Sequence, residues 1–142
     1  MVFIVHSETT VPPLTRAEIS NLFLKKRREW NDGTSVRFID RKEGSRPRAL
    51  FLKQFLKRSS RDVDLYWIGQ KLYSGDSAPI QVDSDSSVMA FVASLKGAMG
   101  YINANTVLIE GVKRIEVRNY GSQAVISPPI SLEVPLVGVN PK

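Results

Sequence analysis

The chain has 142 residues, 42% hydrophobic and 24% charged, with a net charge of +6. That is enough for one domain with its own core, and no apolar run is long enough to span a bilayer. Cysteine is absent and His6 is the only histidine, which excludes disulfides, thiol catalysis and cysteine or multi-histidine metal sites.

Residues 2–5 (Val-Phe-Ile-Val) form a short β-branched and aromatic run, read as a buried strand. No basic stretch followed by an apolar one opens the chain, so no signal-peptide pattern is visible. A loop follows, containing His6, Ser7, Thr9 and Thr10 and ending in Pro12-Pro13. The clearest helix start comes next. Thr15 and Glu18 have capping-box spacing, and Leu14 and Ile19 have the spacing of a hydrophobic staple. Ile19, Leu22 and Phe23 continue one apolar face, and residues 25–28 (Lys-Lys-Arg-Arg) suit the C-terminal end of that helix.

Trp30-Asn31-Asp32-Gly33 reads as a turn and residues 36–39 as the second strand. Then comes Asp40-Arg41-Lys42-Glu43-Gly44-Ser45-Arg46-Pro47-Arg48, opening a helix whose apolar face is Phe51, Leu52, Phe55 and Leu56. Pro47 is tolerated in a first turn, which needs no donor. A Gly-Ser turn opening a helix is a ready anion site, because backbone N–H groups there are unpaired and the helix dipole is positive. Three arginines crowd this turn. Ser45 as a simple N-cap among solvated charges accounts for the same residues and contributes about 1 kcal/mol with no ligand.

Ser59 or Ser60 caps a third helix, with Asp62 in its first turn and Val63, Tyr66 and Trp67 on its apolar face. Residues 74–79 are a loop. Ser84 or Asp85 caps a fourth helix carrying Val88, Phe91, Val92 and Leu95 and stopped by Gly97. Residues 99–102, 107–109 and 114–117 are further short strands. From Tyr120 four prolines punctuate apolar segments, which reads as an extended tail or edge strand. Two units result: residues 1–119 as an α/β domain and 120–142 as a tail that could contact a partner or a second copy.

Residues 16–61 hold fourteen basic and five acidic side chains, a net +9 against −3 for the rest. Such a field draws oxyanions, nucleic acid or acidic lipid headgroups. Nucleic acid is the least favoured partner, since no recognised binding motif or aromatic platform accompanies the charge. Asp62, Asp64, Asp83 and Asp85 match no calcium loop, so no metal is assigned. No Walker-type loop or G-x-S-x-G elbow is present, so neither a cofactor nor catalysis is assigned.

The order of these motifs resembles a known family. Leu14-Thr15 with Phe23, Trp30-Asn31-Asp32-Gly33, the Arg41–Ser45 loop and Gly97-Ala98-Met99-Gly100-Tyr101 are similar to the pattern of the phosphate-binding periplasmic proteins of bacterial ABC transporters. The match runs from about residue 2 to 105 and lies closest to short, single-lobe relatives. The resemblance implies an α/β lobe with a central mixed sheet flanked by about four helices. It implies phosphate held by Arg41, Glu43, Gly44 and Ser45, with Arg46 and Arg48 adding charge and Ser7, Thr9 and Thr10 in a possible anion-facing loop. Glu43 would accept a hydrogen bond from protonated phosphate and so favour it over sulfate. It also implies binding without catalysis, an extracytoplasmic setting and a transporter permease as partner. Two positions depart from the pattern. Arg46 stands for a glycine and Pro47 for a threonine, adding bulk and removing a hydroxyl and an N–H. The alternative function is an interaction or self-association module that keeps the fold with weak or lost anion binding.

Overall fold

A computed structural model describes residues 1–118. Five strands form the main sheet: β1 (Val2–His6), β3 (Arg37–Arg41), β4 (Ile80–Val82), β5 (Ala98–Ile102) and β6 (Val112–Ile115). Their spatial order is β4-β3-β5-β1-β6. β3 runs parallel to β4 and β5, whereas β1 runs antiparallel to β5 and β6. The sheet is therefore mixed. A separate parallel pair joins β2 (Leu14–Thr15) to β7 (Val117–Arg118). The expected tail, and any self-association through it, lie outside the described residues.

Strand alternation sorts the core into two layers. Phe3 and Val5 of β1, Phe38 of β3, and Met99 and Tyr101 of β5 face one side. There they meet α1 (Arg16–Phe23), α2 (Arg46–Phe51) and α3 (Ser60–Ser74). Ile4, Ile39, Ala98 and Ile102 face the other side, packed on Val88, Met89 and Val92 of α4 (Asp85–Ser94). Helices thus cover both faces of one mixed sheet, as expected.

Phe51 anchors the layer that carries the Gly44–Ser45 turn. Its ring stacks on Tyr101 at 4.6 Å between centroids and lies 5.1 Å from Phe23 and 5.6 Å from Phe38. After Phe51 the helix widens into one π-helical stretch, Leu52–Leu56, closed by Lys57 in left-handed backbone at φ 55°.

The capping box on α1 forms as its spacing predicts: Thr15 Oγ1 accepts from Glu18 N–H and Glu18 accepts from Thr15 N–H. Ser45, Ser59 and Ser84 cap α2, α3 and α4. Several expectations are corrected. α1 ends at Phe23, so residues 25–28 lie beyond it, with Lys25 at φ 60°. β4 was not expected, and residues 107–109 form no strand. Phe91 of α4 is exposed rather than in the core.

Candidate functional site

The turn at Glu43-Gly44-Ser45 borders a cleft of about 440 Å³. One wall is α2 and the π-helical stretch after it, through Arg48, Ala49, Leu52 and Lys53. The other is the approach to α3, through Lys57, Arg58, Ser59 and Ser60. Local sequence builds both walls. Gly44 takes φ 84° to turn the chain out of β3, a conformation open to glycine at little cost. Ser45 and Ser59 then start the two helices.

Asp40 and Arg48 underlie the cleft. Arg48 is 3% exposed and Asp40 1%. Arg48 Nε donates to Asp40 Oδ2 at 3.0 Å. Asp40 Oδ1 accepts from the Tyr101 hydroxyl at 2.6 Å and from Arg41 N–H at 2.7 Å. The buried carboxylate is thus satisfied from three directions, as a charge in an apolar layer requires. Burial, and then the Asp40 carboxylate beside it, push the Tyr101 phenol far above its usual range.

The outer end of Arg48 meets the cleft. Its Nη1 donates to Glu43 Oε1 at 2.7 Å and to Ser60 Oγ at 3.3 Å. The Ser60 hydroxyl donates to the other Glu43 oxygen. Arg48 and Ser60 therefore grip a carboxylate between the two helix starts. Glu43 is half-exposed, and Lys53, Lys57 and Arg58 supply positive charge along the walls.

The backbone contributes less than a Gly-Ser turn suggests. Ser45 N–H donates to Lys42 C=O at 3.0 Å and Arg48 N–H to Ser45 Oγ at 3.4 Å. Ala49 N–H donates to Ser45 C=O, and Pro47 has no N–H. Three backbone donors of the turn, the Ser45, Arg48 and Ala49 N–H groups, are thus spent within it.

The structure brings Glu43, Gly44, Ser45 and Arg48 to one cleft and separates the other expected residues from it. Arg41 follows Asp40 on β3 and so projects to the opposite face. There its Nη1 donates to Asp85 Oδ1 at 2.6 Å, at the start of α4. Asp85 also accepts from Asn103 N–H at 3.1 Å and Thr106 Oγ1 at 2.6 Å. Burial raises the Asp85 carboxyl, but the Thr106, Asn103 and Arg41 donors outweigh it and hold the group below its ordinary value. Arg46 lines a different, smaller hollow with Met1, Leu50 and Ile102. Ser7, Thr9 and Thr10 follow β1, which runs antiparallel to β5, while the Glu43–Ser45 turn follows β3, which runs parallel to it. The loop therefore sits at the opposite end of the sheet, where Thr9 Oγ1 accepts from Gly97 N–H.

Asp40, Ser60 and Tyr101 were not singled out as site residues. Asp40 stands two residues after Phe38 in β3, on the face of that core ring, which was a signal that it is buried and paired. Lys53 and Lys57 recur at four-residue spacing from Ala49, which puts them on one side of the helical segment. Nothing local indicated Ser60 or Tyr101. Among the described residues no acid or histidine cluster could hold a metal ion, and no helix is long and apolar enough to cross a membrane.

A mixed sheet covered on both faces, with a cleft where a β-strand turns into a helix, defines an α/β lobe. Solved structures bear this out at the level of fold. A Clostridium perfringens protein described as a phosphate ABC transporter substrate-binding protein, with phosphate bound, superposes with a TM-score of 0.64 at 18% identity. An ABC-type phosphate transport receptor from Vibrio cholerae and PstS from Borrelia burgdorferi give the same score at 17% and 15% identity. Each comparison covers 82% of this chain but only 44–46% of the other. The chain thus spans less than half the length of these proteins. No family model and no curated protein sequence matches the chain.

Proposed function

We propose that this lobe binds an oxyanion, with phosphate the first ligand to test, and that it does so without catalysis. The observation that carries this reading is the donor set of the cleft. Arg48 and Ser60 already hold a carboxylate, and Lys53, Lys57 and Arg58 supply the positive field that draws an anion inward. Charge-assisted bonds from a guanidinium are among the stronger bonds available for an oxyanion. The fold shared with phosphate-transport proteins supports the same ligand class. With Pro47 in the turn and the Ser45, Arg48 and Ala49 N–H groups already used, the site is shallow and its affinity modest. By the same resemblance, its setting is extracytoplasmic and its protein partner a transporter permease. Isothermal titration with sodium phosphate tests the reading. Saturable heat with a millimolar or tighter Kd supports it, and no heat at any concentration up to tens of millimolar sinks it.

One observation favours a second role as an interaction module. Leu65, Ile68 and Leu72 form an exposed stripe along α3, with Leu72 78% and neighbouring Tyr73 91% exposed. Apolar side chains grouped on one helix face mark docking surfaces more often than singly scattered ones do. Light scattering of the wild type and of Ile68→Lys/Leu72→Lys would detect self-association through this stripe. Equal monomer masses across a wide concentration range would count against it.

A further inference from the structure

The resemblance casts Glu43 as a group that accepts a hydrogen bond from the ligand, but the geometry points to a different role: Glu43 is a built-in occupant of the oxyanion site, and a ligand enters by displacing its carboxylate from Arg48 and Ser60. This inference rests on the oxyanion-binding reading above.

Three observations carry it. The first is that the two Glu43 oxygens take the donors an incoming oxyanion would need. Arg48 Nη1 reaches Oε1 at 2.7 Å, and the Ser60 hydroxyl takes Oε2. The second is that the turn's backbone offers little in exchange, because the Ser45, Arg48 and Ala49 N–H groups are used inside it and Pro47 has none, so replacement donors come from the side chains of Lys53, Lys57 and Arg58. The third is an asymmetry between the two acids on Arg48. Asp40 is sealed in the core and also holds Tyr101, whereas the Glu43 side chain is 53% exposed on a turn that bends at a glycine. Asp40 is fixed and Glu43 can leave.

Exchange has a consequence for selectivity. A monovalent carboxylate replaces Glu43 with nothing gained, since one like charge takes the place of another. A divalent tetrahedral oxyanion brings more charge and a further oxygen for Lys53 or Lys57, so it competes where acetate does not. Hydrogen phosphate and sulfate both qualify.

Titration of phosphate, sulfate and acetate into the wild type, Glu43→Gln and Glu43→Ala separates the possibilities. Displacement predicts that both substitutions tighten phosphate and sulfate binding, by about tenfold or more for Glu43→Ala, because no internal carboxylate must be removed. It also predicts that acetate, silent with the wild type, binds measurably to Glu43→Ala. Phosphate binding that is equal or weaker in both variants overturns the inference and leaves oxyanion binding by the wild type intact. No anion binding by any of the three proteins overturns oxyanion binding itself, and this inference with it. Glu43→Gln keeps an acceptor for Arg48 and Ser60, so it gives the answer should Glu43→Ala fail to fold, and circular dichroism checks both.

Discussion

Asp40 and Arg48 form a buried ion pair across β3 and α2, with Nε to Oδ2 at 3.0 Å and both side chains under 5% exposed. The pair ties the helix that carries half the cleft to the strand beneath it. Removing one partner strands the other charge in the core. Arg48→Met is expected to destabilise the protein by about 3–5 kcal/mol in urea unfolding. Replacing both groups, as Asp40→Leu with Arg48→Met, should recover a large part of that loss, since an apolar pair leaves no charge unmatched. A double mutant no more stable than Arg48→Met alone would show that the pair is not the source of the cost.

Gly44 and Gly97 both have positive φ but face different surroundings. A Cβ on Gly44 meets nothing within 4 Å, so Gly44→Ala bears only the backbone cost of the left-handed region, about 1–2 kcal/mol. A Cβ on Gly97 would lie 2.2 Å from Ser35 C=O, and Gly97 also accepts the Trp30 indole N–H at 2.9 Å. Gly97→Ala must therefore move backbone and is expected to cost clearly more than Gly44→Ala. Equal thermal shifts for the two variants would contradict this.

These relationships also explain how far the sequence could be read. Caps were legible because they are local. Thr15 and Glu18 are three residues apart, and each serine cap adjoins its own helix. The sheet followed from apolar runs at residues 2–5, 36–39 and 99–102, but β4 is three residues long with Ile80 exposed, too short to leave a pattern. The arginines of the turn were read as one anion-facing group because their partners are distant or hidden. Arg41 pairs with Asp85, 44 residues away, on the far face of the sheet. Arg48 is shared by Asp40, Glu43 and Ser60. Charge counting sees the cations and misses that two of them are already neutralised.

Arg28 and Asp76 make a surface pair that sets an acid-side pH dependence. Arg28 Nη1 lies 3.0 Å from Asp76 Oδ1, and hydrogen bonds from Arg28 and Ser74 hold the Asp76 carboxyl at about 2, below its ordinary 3.8. A carboxyl depressed on folding contributes stability that is complete above the unfolded value. That contribution fades as pH falls from about 4 to about 2. Asp76→Asn should therefore lie closest to the wild type at pH 2 and fall furthest below it at neutral pH. Because the pair lies at the surface, with Arg28 exposed, added salt should shrink the difference. Denaturant melts at several pH values, at low and high salt, would read it. A difference that does not vary with pH would remove Asp76 as the titrating group.

Tyr101 governs the opposite end of the pH scale. Its hydroxyl donates to Asp40 at 2.6 Å inside the core, and burial followed by the Asp40 charge raises its ionisation far above that of a free tyrosine. For an acid whose folded value is raised, the neutral form belongs to the folded state and the ionised form to the unfolded chain. The unfolded phenol loses its proton near pH 10, whereas the folded one keeps it. Above that pH the unfolded state binds fewer protons than the folded state, so stability falls as pH rises. Two measurements follow. Absorbance titration at the tyrosinate band should show a tyrosine silent until the protein unfolds, and that silent residue should vanish in Tyr101→Phe. Tyr101→Phe should also be less stable at neutral pH, by about 1–3 kcal/mol, because Asp40 loses a buried donor. Its alkaline decline in stability should be shallower than that of the wild type. A Tyr101 that titrated like a free tyrosine while the fold stayed intact would mean that water reaches Asp40, and that the buried pair with Arg48 is wet rather than sealed.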